Sequence, residues 1–118
     1  MSSLIDQEAQ RPWGYYEVLL DTDYCKVKEI TVEPGHRLSY QSHKKRQEQW
    51  TVVTGNLTVI IDDVEHTVYK GKSIHIPWGC KHRAWNKTDD IVQFIEVQTG
   101  TYFGEDDIIR YEDDYKRE

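Results

Sequence analysis

Two stretches matter more than the rest for chemistry, PGHRLSYQSHKKRQEQWTVVTG at 34–55 and GKSIHIPWGCKHRAWN at 71–86. His43, Glu48 and His82 form a His₂Glu set, one of the accepted donor sets for a catalytic zinc with three protein ligands and one open position. Lys45 lies two residues from His43. An ammonium held about 4 Å from a divalent cation is repelled by several kcal/mol at an effective dielectric of about 20. Either Lys45 turns away, or the metal is weak or absent and the lysine itself supplies positive charge to an oxyanion. His75 is an alternative ligand, because Ser73, His75 and Pro77 alternate on one face of an extended segment.

These residues need strands to position them. Residues two apart on a strand share a face, so Arg37, Ser39, Gln41, His43 and Lys45 point one way if extended structure runs that far, and Glu96 and Gln98 share a face of a later strand. Burying such a polar cluster costs several kcal/mol unless its members are paired, metal-bound or solvated in a cavity, which makes a pocket the natural solution. Short runs of valine, isoleucine, threonine and aromatics recur throughout, separated by turn residues. They predict strands at 15–20, 24–32, 37–43, 49–54, 57–62, 65–69, 73–76, 82–86 and 91–98. Pro34-Gly35, Gly55-Asn56, Asp62-Asp63 and Gly71 are among the turn signals. This pattern is that of an all-β barrel or sandwich. Residues 1–10 read as a loose arm and 11–118 as one domain, with a short helical turn at 106–111 on the outside.

Composition narrows the partners. The 118 residues carry 15 Lys and Arg against 21 Asp and Glu, a net charge of −6, which argues against a nucleic-acid partner. Seven acids and three bases lie in 105–118, so the body is nearly balanced. No apolar run exceeds three residues, so no membrane span and no signal-peptide core are expected, and the chain reads as cytoplasmic. Cys25 and Cys80 lack metal-type spacing and read as reduced.

The spacing in 71–86, Gly71, Pro77, Gly79, His82 and Asn86, reproduces the second cupin motif, and 34–55 resembles the first, with Gly35, His43, Glu48 and Gly55 in place and Lys45 where a second histidine is expected. More narrowly, RPWGYYEVL at 11–19, KVKEITVEPG at 26–35, RLSYQSH at 37–43, SIHIPWGCKHR at 73–83 and IEVQTGTYFGEDDIIRYEDDY at 95–115 resemble the cupin domain of type II mannose-6-phosphate isomerases. Many members carry that domain after a mannose-1-phosphate guanylyltransferase. A chain of 118 residues has no room for a nucleotide-binding α/β domain, so nucleotidyl transfer is not expected of it.

The resemblance implies a single cupin barrel, a double-stranded β-helix of jelly-roll type, with both polar faces inside. It also implies interconversion of mannose 6-phosphate and fructose 6-phosphate through a cis-enediol, for polysaccharide or nucleotide-sugar synthesis. Such a reaction needs a base near C2, a cation at O1 and O2, and a phosphate anchor. Glu96 is the expected base, since burial raises a carboxyl towards working pH. Arg37 matches an arginine the family uses for activity, and Lys45 is the possible oxyanion partner. Arg46, Lys81 and Arg83 are phosphate candidates; Gln41 and Gln98 would orient hydroxyls. The metal, zinc or similar, would sit on His43, Glu48 and His82. Blander readings stand beside these: Lys44-Lys45-Arg46 as a solvated basic loop, Glu48 as a partner of Arg46, Glu96 as a structural partner of Arg37, and His36 and His66 as surface residues. Two other functions remain open, an epimerase using Tyr40 and a non-catalytic sugar-binding or regulatory cupin that lost its metal through Lys45. Homodimers are expected by resemblance, with the 15–20 strand as the first place for contact.

Overall fold

The computed structural model describes residues 10–115. Eleven strands make two antiparallel sheets and, among the described residues, there is no helix. In chain order they are β1 Gln10–Arg11, β2 Gly14–Asp21, β3 Cys25–Val32, β4 Tyr40–Ser42, β5 Arg46–Thr54, β6 Leu57–Ile61, β7 Val64–Val68, β8 Ser73–Ile76, β9 His82–Trp85, β10 Val92–Gly100 and β11 Ile109–Glu112. The first sheet runs β1-β2-β3-β10-β5-β8 and the second β11-β4-β9-β6-β7. Their inner faces meet around one core of which Trp13, Ile30, Val52, Val59, Ala84 and Phe94 are part. This is the jelly-roll cupin barrel expected from the sequence.

The register explains why one end of the barrel is apolar and the other polar. In the first sheet Tyr16, Ile30, Phe94 and Val52 lie in one cross-strand row. Two residues along, on the same face, the row is Lys28, Glu96 and Trp50, and the next is Lys26, Gln98 and Glu48. Across the barrel, Arg110, Gln41, His82 and Ile61 form a row of the second sheet. The period of two that buries Ile30 and Phe94 therefore also turns lysine and glutamate inward.

Two segments depart from the sequence expectation. The chain does not stay extended from Arg37 to Lys45: Arg37 makes only an isolated bridge to Trp85, β4 covers Tyr40–Ser42, and a bend at Lys44 and Lys45 precedes β5. Gly100 allows this bend, because a Cβ there would overlap the Lys45 carbonyl and the Arg46 Cα, and its φ of 157° is one L side chains rarely adopt. The helical turn expected at 106–111 is instead a turn closed by Asp107 N–H to Gly104 C=O at 3.2 Å, followed by β11. The free edge of β4 offers backbone partners to this segment, and ladder pairing wins over local propensity.

The expected arm falls largely on residues outside those described; Gln10 belongs to β1. Strand β2 leaves Val18, Leu19 and Leu20 exposed. Both cysteines are free, and no helix among the described residues is long and apolar enough to cross a membrane.

Candidate functional site

His43 follows β4, Glu48 lies in β5 and His82 opens β9, so three strands separated in sequence bring these side chains together. All three are buried, with ligand atoms within 4.8 Å of one another. His43 Nε2 is 3.3 Å from Glu48 Oε2, and His82 Nε2 is 3.9 Å from Glu48 Oε1. Each imidazole is oriented from behind. His43 Nδ1–H donates to the Asp107 carbonyl at 2.6 Å and His82 Nδ1–H to the Cys80 carbonyl at 3.0 Å. A carbonyl only accepts, so these bonds fix the tautomer and leave the Nε2 lone pairs facing the carboxylate, as in histidines that bind metal.

The protonation states suit the same chemistry. Burial brings the His43 imidazole down to about 4, against the opposing pull of Glu48, so it is a neutral donor at pH 7. Burial would raise the Glu48 carboxyl, but its interactions with His82, Arg46 and His43 outweigh this and hold it at about 2. The residues present therefore fit a divalent cation: two imidazole nitrogens and an ionised carboxylate converge. Glu48 is also held by Trp50 Nε1–H on Oε1 and by Arg46 Nε–H on Oε2, both at 2.9 Å.

Next to this group on the first sheet lies a second carboxyl. Burial, reinforced by the charge of Glu48, pushes Glu96 up to about 8, with Lys28 and Arg46 opposing. Gln98 Nε2–H donates to Glu96 Oε2 at 2.6 Å. At neutral pH the two buried carboxyls are therefore one charged and one mainly protonated. Such divergence assigns different roles to neighbouring acids. Both line a pocket of about 100 Å³, together with His43 and His82.

Other sequence candidates are divided by the bend at Lys44 and Lys45. Gln41 lines the pocket, its Cα paired with that of His82 and its Nε2 donating to Ser39 Oγ at 2.8 Å. Arg46 also lines it and is 4% exposed, so it is no part of a solvated loop, and it is the partner of Glu48 as well. Lys45 lies outside the pocket, exposed, with its ammonium 5.2 Å from the centre of the Tyr102 ring. The clash between lysine and cation, and the loss of metal inferred from it, therefore have no structural basis. Of the two neighbours expected on the His43 face, Gln41 is in the pocket lining and Lys45 is not.

Arg37 is likewise outside the pocket lining. It donates to both oxygens of Asp114 at 2.6 and 2.8 Å and stacks 4.5 Å from the Trp85 ring centre. It is consequently not the partner of Glu96. Lys81 is exposed over Tyr111, and Tyr40 is bonded to Asp63 at 2.8 Å. His75 is exposed against Gln49, on the face opposite Ile76. Arg83 is buried, donating to Glu112 at 2.6 Å and to the Leu38 carbonyl at 3.0 Å.

Sequence reasoning missed Trp13, Lys28, Glu105 and Arg110, all of which line the pocket. Lys28 Nζ sits 2.7 Å from Glu105 Oε2 and 4.2 Å from the Tyr16 ring centre. The signal was present in β3: Lys26, Lys28, Ile30 and Val32 share one face, so a face that buries isoleucine and valine buries lysine too. Three lining residues also keep a buried N–H donor without a partner, Trp13 Nε1, Arg46 Nη1 and Arg83 Nη2, while Arg110 Nε lies 4.0 Å from Asp113 Oδ2. Buried donors left unpaired are costly, so a pocket walled by them suits a ligand rich in acceptors.

Known proteins resemble this chain over most of its length. A family model described as mannose-6-phosphate isomerase C-terminal matches residues 2–113. The alginate biosynthesis protein AlgA of Pseudomonas aeruginosa is 44% identical over 110 residues, 93% of this chain and 23% of its own length. A mannose-1-phosphate guanylyltransferase of Escherichia coli is 41% identical over 113 residues, 96% of this chain and 24% of its own. The chain thus spans about a quarter of the length of these relatives. Among solved structures, a sugar phosphate isomerase from a cupin superfamily of Silicibacter pomeroyi superposes with a TM-score of 0.61 at 27% identity, covering 70% of this chain and 57% of that one. A double-stranded β-helix protein of Klebsiella pneumoniae, 22% identical, shares the fold with a TM-score of 0.75 over 89% of this chain and 87% of its own. Fold, motifs and sequence identity converge, and the chain belongs to the mannose-6-phosphate isomerase C-terminal family of cupins.

Proposed function

We propose that this chain interconverts mannose 6-phosphate and fructose 6-phosphate by proton transfer between C1 and C2. The observation that carries the proposal is the pair of buried carboxyls, Glu48 ionised and Glu96 raised to about 8, inside a pocket walled by unpaired N–H donors. In its ionised form Glu96 removes the proton from C2 of the open-chain aldose. The C2–H electron pair becomes the C1–C2 double bond as the aldehyde oxygen gains a proton, giving the cis-enediol. Return of a proton from the Glu96 carboxyl to C1, with loss of the O2 proton, gives the ketose. A base whose affinity for protons lies near working pH can both take and return one.

The remaining residues bind and orient. His43 Nε2, Glu48 and His82 Nε2 would hold a divalent cation such as zinc, which polarises the C1 and C2 oxygens when bound. Gln41 offers its amide to sugar hydroxyls, whereas Gln98, fully buried and outside the pocket lining, holds Glu96 from behind. The phosphate falls to the cationic wall, where Arg110, Lys28 and Arg11 join Arg46 and Arg83. The test is a coupled assay on purified protein across a series of divalent metals. Interconversion is expected, and failure to turn over either sugar phosphate with every metal would end this reading.

A further inference from the structure

Arg46 occupies the lone pair that a cation on His43 requires and one of those on Glu48. Its Nη2–H donates to His43 Nε2 at 3.0 Å and its Nε–H to Glu48 Oε2 at 2.9 Å. An imidazole nitrogen has a single in-plane lone pair, so a hydrogen bond and a metal bond at His43 Nε2 exclude each other. The opposite nitrogen offers no escape, since Nδ1 is engaged with the Asp107 carbonyl at 2.6 Å. Glu48 Oε1 accepts from Trp50 at 2.9 Å, so each carboxylate oxygen carries one hydrogen bond and keeps a second lone pair for a cation.

The guanidinium is also incompletely satisfied where it lies: Arg46 is 4% exposed and Nη1 has no hydrogen-bond partner. Its backbone, by contrast, is fixed by pairing with Gly100 in β10, so any release is a motion of the side chain alone.

We propose that Arg46 is a displaceable internal cation, which bridges His43 and Glu48 and which an entering metal must evict from His43. The arrangement keeps the buried Glu48 carboxylate compensated whether or not a metal is bound, and removing one partner of a buried ion pair is strongly destabilising. It also sets the metal affinity below that of the bare His₂Glu set, because the charge-assisted hydrogen bond to His43 breaks on entry and the displaced charge stays nearby. The proposal rests on His43, Glu48 and His82 forming the metal site; it does not depend on which sugar the protein transforms.

Zinc affinity, measured by competition with a chromophoric chelator, tests it in the wild type, Arg46→Gln and Arg46→Lys. Zinc should bind Arg46→Gln about 10- to 100-fold more tightly than wild type, the equivalent of one lost charge-assisted hydrogen bond. Arg46→Lys should gain less, since an ammonium keeps the charge but does not span both acceptors. Equal or weaker binding in the folded variants overturns the proposal, as does absence of zinc binding from wild type and variants alike. Thermal melts identify a variant that does not fold, and the wild type then decides through the ¹⁵N signal of Arg46 Nη2–H. At one equivalent of zinc that signal should shift and lose protection from solvent exchange. If it stays unchanged while the His43 and His82 ring signals move, Arg46 is not displaced. Because both readouts are equilibrium measurements, a chain inactive on sugar phosphates still answers the question.

Discussion

The two ends of the first sheet's inner face share the same three strands and one continuous register, yet do opposite things. At one end Ile30, Phe94 and Val52 are at most 4% exposed and form the dry core. Four residues along, Lys26, Gln98 and Glu48 occupy the equivalent row, with Lys28, Glu96 and Trp50 between. The apolar rows stabilise the barrel by removing area from water. The polar rows cost stability, which their mutual pairing only partly offsets. A single ladder therefore carries the scaffold at one end and the chemistry at the other, and the stiff end fixes the spacing of the reactive one.

The sharpest way to separate the two ends is Glu96→Gln. If Glu96 is the base, the variant loses about 10²–10⁴-fold in kcat/KM in the coupled assay. Wild-type activity should in turn rise with pH until Glu96 is ionised, near about 8. Stability should move the other way. The folded carboxyl holds its proton up to about 8, whereas in the unfolded chain it titrates near the ordinary value of 4.5. Between these limits the Glu96 carboxyl binds more proton in the native state, so its contribution to stability falls as pH rises; His43, lowered from 6.5 to about 4, opposes it in the acid half of the range, and Glu96→Gln removes the Glu96 part. Denaturant melts at pH 5 and pH 8 measure it; an unchanged slope would mean that Glu96 is ionised throughout.

Phe94→Ala attacks the other end. Phe94 is fully buried, with its ring 4.8 Å from that of Trp50. Truncation should cost about 3–5 kcal/mol of unfolding free energy in denaturant melts. Because Trp50 donates to Glu48, the loosened ring should also impair the site; stability lost with full kcat/KM retained would break the coupling between the two ends.

A smaller effect is expected at the bend. Burial would raise the Asp107 carboxyl, but the N–H groups of Lys45 and Lys44, at 2.9 and 3.2 Å, hold it below the usual range. A lowered carboxyl stabilises the fold above its unfolded value of 3.8 and loses that contribution as pH falls through its folded value. Asp107→Asn should cost about 1 kcal/mol at pH 7, a modest figure because the carboxylate is partly hydrated, and the difference from wild type should shrink in acid.

That bend also shows what could be read from the sequence. Strands β2, β3, β6, β7, β8 and β10 lie close to their expected places, since glycine and aspartate turns end them locally and period two fills their inner face. His43, Glu48, His82, Glu96 and Gln98 follow from the same period and from motif spacing. Which of Lys45 and Arg46 enters the barrel is not local. It depends on Asp107, more than sixty residues away, capping two N–H groups so that the chain turns between β4 and β5. The same holds for β11, whose state is set by the open edge of β4. Gln41, by contrast, was legible from the period of two that it shares with His43.

Lys45→His sharpens the comparison at its smallest scale, because it tests the boundary between outside and inside. The spacing of the motif suggests that a histidine here would restore a missing ligand and tighten metal binding. The structure places position 45 on the exposed bend, its side chain over Tyr102, while the inward direction belongs to Arg46 and Gln41. A substitution on the exposed side of a bend changes stability or affinity by at most about 0.5 kcal/mol. Zinc affinity and kcat/KM of Lys45→His should thus stay within about twofold of wild type on that scale. A tenfold gain in zinc affinity would require the bend to reverse and carry residue 45 into the barrel, and it would return Lys45 to the reactive centre in place of Arg46.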